Sequence, residues 1–100
     1  MTTQITLEGE KVLCNLSGRL DTAAAQQFAT DVEPLKANAD KAIVLDFTNL
    51  DFISSSGLRV LLTLRKETVA KGGSITIKGV NTDIQQVFTI TGFQTLFNFE

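Results

Sequence analysis

Histidine is absent from this 100-residue sequence, cysteine and proline occur once each, and no run of lysine or arginine is present. Without histidine the chain lacks the usual general base, the usual proton shuttle near neutral pH and the commonest metal ligand. Most hydrolase and zinc chemistries are thereby excluded. Cys14 has no internal disulfide partner, and its place in an apolar-alternating stretch marks a buried, inert thiol rather than a nucleophile. Nine Lys and Arg against eleven Asp and Glu, a net charge of −2, offer nothing to the phosphates of nucleic acid or to an anionic membrane. No apolar run reaches the length of a membrane span, and Glu8, Glu10 and Lys11 interrupt the amino-terminal stretch before a signal peptide could develop. A cytoplasmic protein, with no nucleic-acid or membrane partner and no metal or other cofactor, is the expectation.

What is present suits one hydrophobic core. Apolar residues make up 43% of the chain, and domains commonly run to about 100–150 residues. A chain of this size buries roughly 60–70% of the surface its unfolded form exposes. No repeat, linker or low-complexity tract divides it, so residues 1–100 are expected to form one domain. Ile5 and Leu7, then Val12, Cys14 and Leu16, alternate with polar neighbours around Glu8-Gly9-Glu10-Lys11. This pattern predicts two short strands joined by a tight hairpin.

Beyond Leu20 the period changes. Asp21 or Thr22 is a suitable N-cap, and Ala25, Phe28, Ala29, Val32 and Leu35 recur at the spacing of an amphipathic helix. Pro34 falls inside that pattern and predicts a kink or break near Val32. The nearly continuous apolar run Ala42–Phe47 suits a central parallel strand covered on both faces, and Ser74–Lys78 suits a second strand. Between them, Leu58, Leu61, Leu62 and Val69 lie on one helical face, ended by Lys71-Gly72-Gly73. Asn81 then caps a helix with Ile84, Val87 and Phe88 inward, stopped by Gly92 ahead of Phe93, Leu96, Phe97 and Phe99. The fold class is α/β: a small mixed sheet of about four to five strands, the central ones parallel, with helices packed on it.

The segment able to carry chemistry is Asp51-Phe52-Ile53-Ser54-Ser55-Ser56-Gly57-Leu58-Arg59, between the central strand and its helix. Sites in open α/β sheets form at the carboxyl ends of parallel strands. Capping explains one serine, because Ser54 or Ser55 can accept a bond from a free amide of the first turn. It does not require three hydroxyls. A phosphoryl group here would add about −1.5 to −2 charge at the positive end of the helix dipole, which the fold tolerates. A partner surface that had to desolvate an unpaired dianion would not tolerate it.

Ser17-Gly18-Arg19-Leu20-Asp21-Thr22, Ile43–Phe47, Phe52-Ile53-Ser54-Ser55-Ser56-Gly57-Leu58 and Ile90-Thr91-Gly92-Phe93 with Leu96-Phe97 resemble the successive blocks of STAS domains. The likeness extends over essentially the whole chain and is greatest to the bacterial anti-sigma factor antagonists, also called anti-anti-sigma factors. The resemblance implies a STAS-type fold and a binding module without catalytic activity that regulates transcription. Its partners would be a kinase-type anti-sigma factor, which carries the ATP, and a metal-dependent, PP2C-like phosphatase that reverses the modification. The family pattern of an acidic residue, the phosphorylated serine, a small residue and glycine falls on Ser54, Ser55, Ser56 and Gly57. Ser55 is then the acceptor and Ser56 the second choice. The partner-binding set is Asp21, Ser54, Ser56, Gly57, Leu58 and Arg59. Asp21 is equally explained as a helix cap, and Leu58 as core. The chain departs from the pattern at Ser54, where the family commonly has an acidic side chain.

Two other readings compete. A serine hydrolase would need a base beside the nucleophile, and Gly-x-Ser-x-Gly is absent. Gly72-Gly73 lacks the strand–loop–helix setting and Gly-Lys-Ser/Thr ending of a phosphate loop and reads as a helix stop. Within the STAS resemblance, the alternative role is a subunit or scaffold of a regulatory, transporter or lipid-trafficking complex without sigma control.

Overall fold

The computed structural model describes residues Met1–Glu100. Gly9, with φ of 62°, takes the first central place of a two-residue turn, a conformation open to glycine at little cost. The turn joins β1 (Thr2–Glu8) to β2 (Lys11–Leu20) as an antiparallel pair, so the predicted hairpin is present. Helix α1 (Thr22–Asp31) follows, capped by Asp21, whose carboxylate accepts from the Ala24 amide at 2.8 Å. The chain breaks at Val32 and restarts as α2 (Glu33–Ala37). Pro34 therefore stands in the first turn of a new helix, where its missing N–H leaves no intrahelical bond unmade.

Strand β3 (Ala42–Ile53) leads into α3 (Ser55–Lys71) and on to β4 (Ser74–Lys78). Helix α4 (Thr82–Thr91), a 3-10 turn at Phe93–Leu96 and the short β5 (Asn98–Phe99) complete the chain. The five strands lie in chain order, β1-β2-β3-β4-β5, and every neighbouring pair after the first is parallel. This is the mixed sheet with parallel central strands that the apolar patterning predicts.

Three expectations are corrected. β3 runs on through Asp51, Phe52 and Ile53, so these residues are strand, not loop. The sheet is covered on one face only. Val12, Ile43 and Ile75 align across three strands, as do Cys14, Leu45 and Ile77, and all six are buried. The alternate row of Leu13, Val44 and Thr76 is only half-buried, because Asn15, Asp46 and Lys78 beyond it keep that face polar and wet. Finally, the inward stripe of α3 is Leu58, Leu61, Leu64 and Thr68, whereas Leu62 is half-buried and Val69 is 65% exposed. Thr68 is polar, yet its hydroxyl donates to the Arg65 carbonyl at 2.8 Å and can therefore be buried. Ala29, likewise, faces outward from α1.

A single cluster of 21 buried residues joins the covered face of the sheet to all four helices. Phe88 meets Phe97 and Phe99 edge-on at ring-centre distances of 5.9 and 5.2 Å, an arrangement favoured by the ring quadrupoles. Arg65 Nε donates to the Leu96 carbonyl at 2.7 Å and ties the C-terminal turn to α3. The helices are thus held from below and at one end, which fixes where each of them starts.

Candidate functional site

In this topology three helices begin where parallel strands end. Asp21, Ser54 and Asn81, the caps of α1, α3 and α4, follow β2, β3 and β4. The Ser54 amide donates to the Leu20 carbonyl at 2.8 Å, and Asn81 Nδ2 donates to the Leu50 carbonyl at 3.1 Å. The three caps are therefore laced to one edge of the sheet. Their free amides and helix dipoles make this edge positive in character despite the chain's net negative charge.

At its centre the three serines have separate positions. Ser54 is extended, with φ −91° and ψ 167°, and its Oγ accepts from the Gly57 amide at 3.1 Å. Ser54 is thus the cap. Ser55, the first helical residue, is exposed, and Ser56 is half-buried. Gly57 packs so closely that a Cβ there would lie 2.6 Å from Leu20 Cγ and 3.3 Å from Ile53 Cγ1. Leu58 is only 2% exposed and belongs to the core. Of the expected partner-binding set, Gly57 and Leu58 are the two buried members and present no side chain to solvent. Asp21, Ser54 and Ser56 are half-buried and Arg59 is exposed along the same edge.

The structure adds two residues to this edge that sequence reasoning did not single out. Arg19 and Phe52 pair across β2 and β3, with the guanidinium carbon 4.5 Å from the ring centre. Phe52 remains 38% exposed. A phenylalanine three residues before Ser55, opposite an arginine, is visible in the sequence only once the parallel register of β2 on β3 is known.

No deep cleft opens at the serines: the three surface depressions are lined by the outer side of α4, by the polar face of β1–β3 and by β1 against α1 and α2. No group of three or more Cys, Asp or Glu side chains is placed to hold a metal ion. Asp46 does not serve Ser55, because Thr48 holds its carboxylate through the hydroxyl at 2.6 Å and the amide at 2.9 Å. The Thr48 hydroxyl bond is the main cause that keeps this carboxyl below its ordinary range; burial opposes it, and the Thr48 amide and Lys78 at 4.0 Å add to the lowering. Cys14 is buried in the sheet, where loss of water, with a contribution from Asp31, pushes the thiol up to about 12. It is not a nucleophile at neutral pH. No helix is long and apolar enough to cross a membrane. Exposed hydroxyls stand at the starts of all three helices, at Thr22, Ser55 and Thr82, and Ser55 alone of them follows a serine cap.

Comparison with known proteins finds likeness over nearly the full chain. The model of the family described as "STAS domain" matches residues 4–100. BtrV of Bordetella bronchiseptica, named as a candidate anti-sigma factor antagonist, is 31% identical over 91% of this chain and 78% of its own length. The anti-sigma F factor antagonist of Paenibacillus polymyxa is 30% identical over 92% of this chain and 81% of its own. Among solved structures, the Bacillus cell-fate determinant SpoIIAA in its phosphorylated form shares the fold with a TM-score of 0.74 at 23% identity, covering 99% of this chain and 91% of that one.

Proposed function

The chain belongs to the STAS domain family, with relatives named as anti-sigma factor antagonists, and on that premise we propose that it is a cytoplasmic, phosphorylation-switched antagonist of a kinase-type anti-sigma factor. Unphosphorylated, its capped edge docks on the kinase and frees a sigma factor. Ser55 is the acceptor. Its Oγ attacks the γ-phosphorus of the kinase's ATP, the bond to ADP breaks, and the hydroxyl proton passes to a base on the kinase. A PP2C-like phosphatase returns the serine.

The observation that carries this reading is the division of the serines: Ser54 is occupied as the cap while Ser55 stands exposed one residue further on. A phosphate on Ser55 would meet the amides and dipole of α3, so its effect on the fold is small, about 0.3–1 kcal/mol and favourable in sign. On the docked face the same dianion must lose water without a partner, which costs several kcal/mol. The sign of the switch follows from that difference. An edge with one exposed phenylalanine and no cleft supports protein binding rather than catalysis.

Incubation with the cognate kinase-type anti-sigma factor and ATP is expected to add one phosphoryl group to the intact mass and to release the kinase. Ser55→Ala is expected to keep its mass and remain bound. An unmodified wild type, or full modification of Ser55→Ala, would refute the assignment.

A further inference from the structure

The parity of the sheet's hydrogen bonds leaves β1 with an unpaired, self-complementary edge. The Glu10 carbonyl accepts from the Ala42 amide, so even-numbered residues of β2 aim their backbone groups at β3 and odd-numbered ones at β1. Glu8 and Lys11 close the two-residue turn and must form a hydrogen-bonded pair. The same pairing then recurs at Thr6 with Leu13, Gln4 with Asn15 and Thr2 with Ser17. The amides and carbonyls of Thr3, Ile5 and Leu7 are therefore turned outward, away from the sheet.

Natural sheets protect such an edge with lysine, proline, a bulge or a covering segment. β1 has none of these: it reads Thr-Thr-Gln-Ile-Thr-Leu-Glu and pairs with β2 without a register shift. We propose that β1 is a dimerisation edge, joining a second copy of this chain antiparallel about Ile5 to make one ten-stranded sheet.

The register follows from two-fold symmetry. Ile5 faces Ile5, and Thr3 of each copy faces Leu7 of the other, so all outward amides and carbonyls find partners in six backbone bonds. Charge agrees, since Glu8 is the only ionisable side chain on the strand and the two copies of it lie at opposite ends of the ladder, about 20 Å apart. The side chains agree as well. Leu7 is 60% exposed in the single copy. Thr3, which it would meet, lines a surface depression with Ile5, Thr30, Asp31 and Pro34, and Thr3 Oγ1 is buried there without a hydrogen-bond partner. Each Leu7 would cover the other copy's depression. With the same face outward in both copies, the helices of the pair lie on one side.

A ladder of this length buries less surface than a standard interface of about 1,600 Å², so association is expected to be weak and reversible. In sedimentation equilibrium the mass should rise from 10.9 kDa toward twice that value over roughly 10 µM to 1 mM. Hydrogen exchange at the concentrated end should slow specifically at the amides of Thr3, Ile5 and Leu7. Those of Gln4 and Thr6, already bonded to β2, should not change. Leu7→Glu, at an exposed position and brought near Asp31 of the other copy, should stay monomeric throughout while unfolding at the wild-type temperature. Leu7→Pro, which removes an outward N–H at a side chain that does not pack on the core, should do the same. A wild type monomeric at ~1 mM, a dimer that survives Leu7→Glu, or a dimer that leaves those three amides in fast exchange would overturn the proposal.

Discussion

The Gly57 amide and Ser54 Oγ are joined by a 3.1 Å hydrogen bond, which separates the structural serine from the one left for modification. Removing that bond leaves a first-turn amide of a buried-faced helix without its cap. Ser54→Ala is expected to lower unfolding stability by about 1 kcal/mol in urea titration, within a usual span of about 0.5–2. Ser54→Asp also caps and adds a negative charge where the dipole favours it, so it should stay within about 0.5 kcal/mol of wild type. Equal losses in both variants would show that the cap does not hold α3.

Gly57 is a packing requirement more than a conformational one. An alanine there gains about 1 kcal/mol of helix propensity. Its methyl, however, would lie 2.6 Å from Leu20 Cγ and 2.9 Å from Leu20 Cδ2, and overpacking of that kind costs about 1–3 kcal/mol. Gly57→Ala should therefore destabilise by up to about 2 kcal/mol, and the fully buried Leu20, truncated to alanine in that background, should cost less than Leu20→Ala costs alone. Stabilisation by Gly57→Ala alone would mean that β2 and α3 are farther apart at this point.

Much of this arrangement is legible in the residues. The hairpin turn, the break before Pro34, the Asn81 cap and the glycine stops at Gly72 and Gly92 all arise from local chemistry, and each has its predicted place. The strand-to-helix junction drew attention to the three serines, and the likeness to STAS blocks ranked Ser55 first among them. Burial on particular faces was less legible because it depends on neighbours. Leu62 and Val69 match a helical stripe as well as Leu64 and Thr68 do, and only the packing of α3 against α1 and β4 chooses between them. The run Ala42–Phe47 reads as doubly covered, but one side of β3 has no helix to cover it. Arg19 and Phe52 are 33 residues apart in sequence, and their stacking follows from the bulged register between Gly18 and Arg19.

Cys14 gives a pH dependence with a definite sign. The folded thiol is held at about 12, against an ordinary 9.0, so above pH 9 the unfolded chain loses a proton that the folded chain keeps. Alkalinity then favours unfolding, and stability should fall with a slope approaching about 1.4 kcal/mol per pH unit from this group between those two values. Below pH 9 the contribution is complete and flat. Cys14→Ala should be less stable at neutral pH through lost packing, yet show a shallower decline on the alkaline side. A thiol reagent should leave the native protein unmodified at pH 8 and modify it once unfolded. Rapid native modification would place Cys14 outside the core.

Phe52 tests whether the capped edge is the docking face. Its ring is 38% exposed beside Arg19 and directly ahead of the serines, and it has no core role that would keep it there. Exposed aromatic and arginine residues of this kind dominate protein interfaces, where truncation commonly costs 1–2 kcal/mol or more. The cation–π contact itself contributes about 0.5–1 kcal/mol to the fold at an exposed site. Phe52→Ala should therefore change unfolding stability by no more than about 1 kcal/mol while weakening capture of the kinase-type partner about tenfold or more by titration calorimetry. Arg19→Ala should follow in the same direction with a smaller effect, and the double variant should lose less than the sum, since the two side chains act as one stacked unit. Unchanged affinity in both single variants, with the partner still released on Ser55 phosphorylation, would move the docking face away from β2–β3 and toward the starts of α1 and α4.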